Sequence, residues 1–368
     1  MSLRAEVIAD PARLEELRDA WDELAVAAAR PFCAPGWLLP WWHSAAPAGS
    51  RLFSVAAFDG ERLAALTPLF LEGGALLPLG TGATTRVEPL ALSGCEKEAA
   101  LAIAPVLAGA GAALLRLRGI PESSPWPELL ARAWPGGHAW LHEDERMPAP
   151  SVELEGLGFE EWLASRSSNF RNQLRRFRRR LEERGGRIEL VGGDGLPAAL
   201  AAFVELHHAR WAPRGGSGVL DDRVEAAVSG SSQALPPDRF RLFVIDGPDG
   251  TVAATVLVAA GGEVSSWLNG HDDRWGDLNP QLQLNVAAIE HAIASGDRRL
   301  DLGAGTMQHK ERLANSAEAL RSVTLVPPGP GQVTTRLRLL PGRARLALSQ
   351  RLSEEQKRRV KRLLRRRS

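Results

Sequence analysis

Residues 263–305, EVSSWLNGHDDRWGDLNPQLQLNVAAIEHAIASGDRRLDLGAG, carry the pattern that decides the fold. The run predicts a strand, a polar loop, a helix and a second strand. Asn279 is a suitable N-cap, and Pro280 suits the first helical position because it has no N–H to leave unpaired. The helix therefore begins with free N–H groups beside the loop, an arrangement that favours anions. Its apolar stripe has helical spacing and consists of Leu282, Val286, Ile289 and Ile293.

The flanking sequence extends this run into an α+β unit. Residues 239–247 and 251–262 predict a β-hairpin. Helices are predicted over 168–184 and 195–211, and a loop rich in glycine and proline separates the second of them from the hairpin.

The first half of the chain predicts a similar order of elements. It contains a helix over 11–30, a Pro-punctuated aromatic segment over 31–44, strands divided at Asp59-Gly60, a helix near 97–113 and a strand over 113–120. The Pro-rich residues 145–156 then predict a boundary between the halves near residue 148.

Residues 167–186, SSNFRNQLRRFRRRLEERGG, contain seven arginines. The segment also has an apolar stripe at helical spacing, made of Phe170, Leu174, Phe177 and Leu181. A solvated basic arm needs no such stripe, so we predict a helix that packs on a core. Arg171, Arg175 and Arg178 share one flank of this helix, where they either face solvent or bind an anionic ligand.

The composition is that of a globular protein, because 44% of the 368 residues are hydrophobic and 24% are charged. No apolar run reaches the roughly 18 residues of a membrane span, and the N-terminus lacks the apolar stretch of a signal peptide. Cys33 and Cys95 form no CxxC pair, so we expect a reduced, cytoplasmic setting and no zinc site. Residues 336–368 carry 13 Lys/Arg against two Glu. This basic tail predicts an anionic partner: a membrane surface, nucleic acid or the acidic remainder of the chain.

The second half resembles the CelD-like acetyltransferases of the GNAT (Gcn5-related N-acetyltransferase) superfamily, which are related to Fem-type aminoacyl transferases. The resemblance covers residues 165–325 and rests on the segments FRNQLRRFRRRLEERGG, LHHARW, FVIDGPDGTVAATV, WLNGHDDRW, LNPQLQLNVAAIEHAIASGDRRLDLGAG and HKERLA. The first half matches weakly, through PFCAPGWLLPWW and LLPLGTG.

This resemblance implies an α+β fold of two tandem GNAT-like domains with mixed, largely antiparallel central sheets flanked by helices. Residues 1–148 would be a degenerate domain on the acceptor side, and residues 149–327 would be the acyltransferase domain. Residues 328–368 would form a basic helical tail.

The resemblance implies acetyl-CoA or another acyl-CoA as co-substrate, and no metal. The implied cofactor-binding residues are Trp267, Leu268, Asn269, Asn279, Gln281, Leu282 and Gln283. Gln281 departs from the family, which usually has glycine after the proline, so a side chain crowds the phosphates here. Asp272, Asp273 and Asp277 also oppose phosphate binding. The alternative is a capped structural helix in a domain that has lost its cofactor.

The same resemblance implies the catalytic residues. His207 and His271 are candidate bases, because imidazole can take a proton near neutral pH, although a histidine in a helix is more often a packing residue. Lys310 ends a pattern of Asp-x-Gly-x-Gly followed by Tyr-Lys, with His309 at the aromatic position; it either meets an anion or pairs with Asp301. Ser266 or a water would protonate the leaving thiolate, since the chain has no tyrosine. The implied substrate-binding residues are Arg171, Arg175, Arg210, Trp211, Asp301, Gly303 and Gly305.

The predicted activity is transfer of an acyl group, by preference acetyl, from acyl-CoA to a primary amine on a small molecule or glycan precursor. Two alternatives stay open: a Fem-like transferase whose basic helix and tail hold the phosphates of aminoacyl-tRNA, and a non-catalytic GNAT-like scaffold. We expect the acceptor between the domains, near Trp37, Trp41, Trp42 and the loop 80–88, GTGATTRVE. The predicted location is cytoplasmic, and peripheral on the inner face of the membrane if the tail binds lipid.

Overall fold

The computed structural model describes residues 3–305, 307–336 and 339. Most of the predicted basic tail lies outside the described residues, although residues 331–336 are helical. The elements of the first half are β1 (Arg4–Ile8), α1 (Pro11–Glu16), α2 (Arg18–Ala27), α3 (Pro35–Ala45), β2 (Arg51–Leu52), β3 (Ser54–Asp59), β4 (Arg62–Thr67), β5 (Leu69–Glu72), β6 (Ala75–Pro78), β7 (Leu90–Ala91), α4 (Glu96–Ala108), β8 (Leu114–Pro121), α5 (Trp126–Ala133) and β9 (Trp140–Glu153).

The second half continues with further helices and strands. They are α6 (Phe159–Ala164), α7 (Ser168–Glu183), β10 (Arg187–Val191), α8 (Leu196–Trp211), α9 (Asp222–Ala234), β11 (Phe240–Gly247), β12 (Gly250–Ala260), β13 (Glu263–His271), α10 (Pro280–Ala294), β14 (Arg299–Asp301), α11 (Gln308–Leu313) and β15 (Ser316–Val326). None of the described helices is both long and apolar enough to cross a membrane.

One mixed, largely antiparallel sheet runs through both halves. Its strand order is β10-β11-β12-β13-β14-β9-β15-β8-β6-β5-β2, and a smaller sheet has the order β1-β3-β4-β7. The last strand, β15, lies between β9 and β8. The two halves are therefore joined by backbone hydrogen bonds as well as by side-chain packing, within the predicted α+β class.

The Pro-rich segment near residue 148, where a boundary between the halves was predicted, lies within a strand. It is part of β9, whose Pro148 and Pro150 carbonyls accept hydrogen bonds from the backbone N–H groups of Gly305 and Leu302 at 2.8 and 3.0 Å. The neighbouring strand β14 ends at Asp301. In any other residue, the backbone N–H at positions 148 and 150 would point to the side where β14 has ended. Proline therefore removes no regular strand-to-strand hydrogen bond here.

Two helices that the sequence did not predict hold the halves together. The aromatic segment after residue 31 forms α3, and the supposed glycine-rich loop contains α9, which packs against α3. Gly230 allows α9 to approach α3 closely, because a Cβ at this position would lie only 3.0 Å from the Pro40 Cβ. The glycine that suggested a loop therefore serves close helix packing.

The helix α7 packs on the second-half core as its apolar stripe predicted. Phe170, Leu174, Phe177 and Leu181 are all buried, and Ser167 caps the helix by accepting a hydrogen bond from the N–H of Phe170 at 3.2 Å. The core around them also contains residues of α10 and of strands β11–β14. This packing places α7 beside the segment that leads into α10.

Candidate active site

A cleft opens where two parallel strands part. β13 and β14 pair in parallel from Glu263 and Arg299 to Ser265 and Asp301, where β14 ends and β13 continues to His271. A bulge in the pairing with β12 shifts the register of β13 between Ser266 and Asn269. The backbone of this stretch therefore faces a gap instead of a neighbouring strand. The cleft has a volume of about 340 Å³.

The second half supplies most of the predicted site residues that the cleft brings together. Those that line it are Ser266, Trp267, Leu268, Asn269, Gln281, Asp301, Gly303 and Lys310. Of the other residues predicted to bind cofactor, Asn279, Leu282 and Gln283 do not line the cleft. Leu282 and Gln283 are buried in the start of α10.

The opposite wall of the cleft belongs to the first half. It is formed by residues 82–86 and Arg118 of β8. The Trp267 indole N–H donates to the Ala83 carbonyl oxygen at 2.7 Å, which ties this wall to β13. Trp37 packs edge-on against Trp267 with ring centroids 5.3 Å apart.

The three predicted acceptor-side tryptophans have a structural role instead. Trp37 and Trp41 are buried in the core, and Trp41 and Trp42 pack against Phe70. None of the three lines the cleft.

A buried ion pair lies in the cleft wall. Arg86 Nη2 is 2.7 Å from Asp301 Oδ1, and Arg86 Nη1 is 3.8 Å from Glu318. Arg86 has φ 65°, a left-handed backbone that is uncommon outside glycine and costs about 1–3 kcal/mol. Asp301 is 1% exposed, and its ion-pair partner is Arg86. The alternative left open by the sequence, an ion pair between Asp301 and Lys310, is not found among the described residues.

Lys310 instead fixes the loop that follows β14. Its Nζ donates to the carbonyl oxygens of Gly303 and Ala304, both at 3.1 Å. Gly303 has φ 83°, a conformation that favours glycine, and a Cβ there would lie 3.3 Å from this Nζ. Both the backbone conformation and the close approach of Lys310 therefore favour glycine at this position. Burial lowers the pKa of Lys310, and the Asp301 carboxylate opposes that shift. Gly305 also has a positive φ but does not line the cleft.

Side-chain amides close the cleft on the α10 side. Gln281 Nε2 donates to Asn285 Oδ1 at 2.9 Å, and both residues line the cleft. Gln281 is 8% exposed, and its Oε1 is buried without a hydrogen-bond partner among the described residues. The departure from the family's glycine therefore places a polar, unsatisfied acceptor in the cleft wall.

The start of α10 differs from its prediction. Asn279 occupies the N-cap position in a left-handed conformation, φ 48°, and its side chain makes no capping hydrogen bond. Its carbonyl oxygen instead accepts from the N–H groups of Leu282 and Gln283. Asparagine is one of the few residues that adopt this conformation readily.

The arginines of α7 stabilise the loop before α10. Arg180 and Arg184 contact the Asp277 carboxylate at 2.5 and 3.0 Å. The Arg184 guanidinium also lies 4.3 Å from the centre of the Trp275 ring. The negative charge of Asp277, which was expected to oppose phosphate binding, is therefore neutralised by the basic helix, and Asp272 is neutralised by Arg274.

His207 is a positioning residue in this structure. It is 2% exposed, and its Nδ1 lies 2.9 Å from the Asn269 carbonyl oxygen while its Nε2 lies 3.0 Å from Ser217 Oγ. Because a carbonyl only accepts, Nδ1 carries the proton and Nε2 accepts from the serine. Burial lowers the pKa of His207, so the ring is neutral near pH 7. Both ring nitrogens are engaged in holding the cleft wall.

His271 and Arg210 line a second, separate pocket of about 410 Å³ between α8 and the loop after β13. Burial lowers the pKa of His271, and its Nδ1 has no hydrogen-bond partner among the described residues. The neighbouring Trp211 is 38% exposed and packs against His207. Arg210 also contacts the cleft wall, because its Nη1 donates to Asn269 Oδ1, whereas His271 and Trp211 do not line the cleft.

Arg171 and Arg175 lie on α7, away from the cleft. Arg171 Nη1 donates to the carbonyl oxygens of Ala164 and Arg166, both at 2.7 Å, and so caps the end of α6. Arg175 is exposed and donates to Asn172.

The cleft also contains His309, which the sequence analysis did not select and whose imidazole has no hydrogen-bond partner among the described residues. It is half-buried and lines the cleft. Burial lowers its pKa, and the positive charges of Lys310 and Arg210 lower it further. The sequence did contain a signal for this residue, because a histidine, which can titrate, occupies the position where the family has an aromatic residue.

A second ionic cluster lies behind the cleft. Arg299 contacts Glu263, Glu153 and Glu318 at 2.9, 3.1 and 3.2 Å. Burial raises the pKa of Glu263 to about 7, against the opposing effect of Arg299. Within the described residues there is no group of three or more His, Cys, Asp or Glu side chains placed to hold a metal ion.

Residues 168–311 match the family model of the acetyltransferase (GNAT) domain. A comparison with curated proteins finds no match. Among solved structures, FemX is similar over 91% of this chain and 99% of its own, with a TM-score of 0.61 and 11% identity. The C-terminal domain of a putative lysylphosphatidylglycerol synthetase from Agrobacterium fabrum has a TM-score of 0.56 and 12% identity, covering 90% of this chain and 97% of its own.

L-PGS from Bacillus licheniformis is similar over 89% of this chain and 96% of its own, with a TM-score of 0.54 and 14% identity. At these identities the likeness concerns the fold, and it extends over both halves. The family match, in contrast, concerns the half that holds β13, α10 and β14. The second half therefore matches the model of the GNAT acetyltransferase domain, and the fold of both halves is similar to that of FemX.

Proposed function

We propose that the protein transfers an acyl group, by preference acetyl, from acyl-CoA to a primary amine in the cleft. The observation that carries this proposal is the gap between β13 and β14, bordered by the start of α10. The gap offers backbone N–H groups of β13 to a developing oxyanion. The half-buried His309 offers a base.

The proposed reaction begins with loss of a proton from the acceptor ammonium to His309. The neutral amine then attacks the thioester carbonyl carbon, and the oxygen takes up negative charge beside the β13 backbone. The attack forms the C–N bond. Collapse of this intermediate then restores the C=O double bond, breaks the C–S bond and releases the second nitrogen proton, which passes to the thiolate through Ser266 or a water. The thiolate leaves with little help because a thiol has a pKa near 8.5, and Ser266 or a water supplies its proton.

The basic helix has an indirect role in this proposal. The donor's pyrophosphate would lie near the start of α10, where the positive end of the helix dipole favours an anion. Arg180 and Arg184 hold the preceding loop through Asp277 and neutralise its charge. Gln281 narrows the approach, so we expect modest, salt-sensitive affinity for acyl-CoA.

The test is release of free CoA thiol from acetyl-CoA with a panel of primary amines. His309→Gln should lower kcat by about 10²–10⁴, whereas His43→Gln, an exposed histidine on α3, should not. Because the pKa of His309 is lowered, the wild-type rate should be constant from pH 7 to 8 and fall in more acidic solution. An unchanged rate and pH profile in His309→Gln would remove the residue from the mechanism.

A Fem-like aminoacyl transfer is the second candidate, and one observation favours it. The Gln281–Asn285 amide pair lies where the family's glycine leaves room for the donor. The amine and the carbonyl of an aminoacyl ester can both form hydrogen bonds with such side-chain amides. The exposed arginines on α7 could bind RNA phosphates. Nucleic acid that copurifies at low salt and dissociates at high salt would support this donor, and bound CoA would support the first.

We also propose that the basic tail attaches the protein to an anionic membrane surface. Residues 336–368 carry 13 Lys/Arg against two Glu, and such a charge favours acidic lipid. Full-length protein should sediment with phosphatidylglycerol vesicles at about 50 mM salt, and protein without these residues should not. Equal sedimentation of the two would exclude the tail as the anchor.

A further inference from the structure

The charges that line the cleft do not balance. Three cations line it, Arg86, Arg118 and Lys310, against the single carboxylate of Asp301. Arg86 is matched by Asp301 at 2.7 Å, with Glu318 behind it. Within the described residues, neither Arg118 nor Lys310 has a carboxylate oxygen within 4.0 Å. The cleft therefore presents two positive charges that the described chain leaves unmatched.

The two unmatched cations lie on opposite sides of the cleft. Lys310 belongs to the second half and is held by the carbonyl oxygens of Gly303 and Ala304. Arg118 belongs to β8 of the first half and is exposed. A positive side chain held by carbonyls keeps its charge available to a ligand, and an exposed guanidinium can meet a phosphate or carboxylate with two parallel hydrogen bonds.

The first half builds the surroundings of Arg118 with unusual backbone geometry. The Arg86 N–H donates to the Arg118 carbonyl oxygen at 3.3 Å. Gly119 has φ 57°, and a Cβ there would lie 2.8 Å from the Thr85 Cβ. The loop is thus pressed against β8, so that the Thr84 and Thr85 side chains share the cleft wall with Arg118. Arg86, whose N–H makes this contact, has a left-handed backbone with φ 65°, and such residues persist where surrounding contacts enforce them, often at ligand sites.

We propose that this wall recognises an anionic group, a phosphate or a carboxylate, carried by the amine acceptor. Arg118 binds the anion together with the Thr85 hydroxyl, and Lys310 adds charge from the opposite wall. This inference rests on the proposed function, because it assumes that the acceptor's amine reaches His309. The donor's phosphates are assigned to the start of α10 in the other half, so the two anion sites are distinct.

Three probes test the inference with the full-length protein. O-phosphoethanolamine, β-alanine and ethanolamine are small primary amines that carry a phosphate, a carboxylate and no anion, respectively. Titration calorimetry should show that one of the first two binds at least about tenfold more tightly than ethanolamine. Whichever of the two binds more tightly identifies the class of anion.

The variants make the assignment specific. Arg118→Gln should abolish the tenfold preference without changing Tm, because the side chain is exposed. Arg179→Gln, on the exposed face of α7 with 73% of its side chain accessible, should keep the preference. Equal binding of all three probes, binding of none, or an unchanged preference in Arg118→Gln would overturn the inference. Acetyl-CoA binding measured separately distinguishes these failures from failure of the donor proposal.

Discussion

The basic helix α7 and the cleft wall of residues 82–86 with Arg118 differ in how visible they are in the sequence. The helix segment carries seven arginines in 20 residues, yet Arg171, Arg180 and Arg184 contact carbonyls, a carboxylate and a ring of the same chain. The cleft wall carries only two arginines, and one of them is left unmatched. A cluster of charge is therefore a weaker guide to ligand binding than a charge without a partner.

The largest expected effect concerns the ion pair under the cleft wall. Arg86→Gln should lower the free energy of unfolding by about 3–5 kcal/mol, because Asp301 would remain buried without its partner. Urea unfolding measures this loss. Arg118→Gln is the control and should change it by less than about 0.5 kcal/mol. A loss under about 1 kcal/mol for Arg86→Gln would mean that the wall does not depend on the pair.

Glu263 gives the next effect, and it depends on pH. Its pKa is about 7 in the folded protein against a usual 4.5, so the folded state holds the proton more tightly. Its contribution to stability is full below pH 4.5 and is lost as pH rises to about 7, by an amount on the order of 3 kcal/mol. Glu263→Gln cannot ionise and should escape this loss.

Unfolding in urea at several pH values tests Glu263. The stability of Glu263→Gln relative to wild type should increase from pH 4.5 to 7 and then stay constant. The control is Glu153→Gln, which removes another partner of Arg299 but has 53% of its side chain exposed. A difference that does not vary with pH would show that Glu263 ionises normally.

A smaller effect is expected for the arginines that hold the loop before α10. Replacing Arg180 and Arg184 together by Gln removes two partly exposed ion pairs and a cation–π contact, worth about 1–2 kcal/mol in total. Hydrogen exchange should become faster over residues 272–278. Unaltered exchange would indicate that the loop is held by Trp275 and Leu278 packing alone.

The smallest effect is expected on the same helix. Arg175→Gln combined with Arg178→Gln should change the free energy of unfolding by less than about 0.5 kcal/mol. Arg175 is exposed and donates to Asn172, and Arg178 lies 3.9 Å from Glu182 with 54% of its side chain exposed. If these two substitutions lower the free energy of unfolding as much as those of Arg180 and Arg184 do, then the proposed difference between the two pairs of arginines on α7 is wrong.

The spacing of apolar residues predicted α7, α8, α10 and the β11–β12 hairpin, because in each of them the apolar residues recur at the interval of a helix or of a strand. It missed α9, where Gly230 serves packing against Pro40 rather than a turn. It did not predict β9, because proline is uncommon in strands; here Pro148 and Pro150 lie along an edge where the neighbouring strand has ended.

The candidate site was predictable where it follows β13, α10 and β14 and in the loop 80–88, but not in the rest of the first half. Asp301, Gly303 and Lys310 could be placed by their pattern. Arg118 could not, because it lies 32 residues after Arg86 with no shared motif. The first-half wall is joined to the second-half strands by the pairing of β8 with β15, a contact between distant parts of the chain.

The central claim is that the cleft beside α10 binds an acyl donor, and a thermal shift with acetyl-CoA tests it most directly. Ligand that binds the folded state raises Tm by mass action, so millimolar acetyl-CoA should raise the Tm of the wild type. Gln281→Gly should keep or enlarge this shift, since it reopens the approach to the backbone, and Gln281→Glu should reduce it by charge repulsion. No shift with acetyl-CoA or longer acyl-CoAs at millimolar concentration would contradict the account.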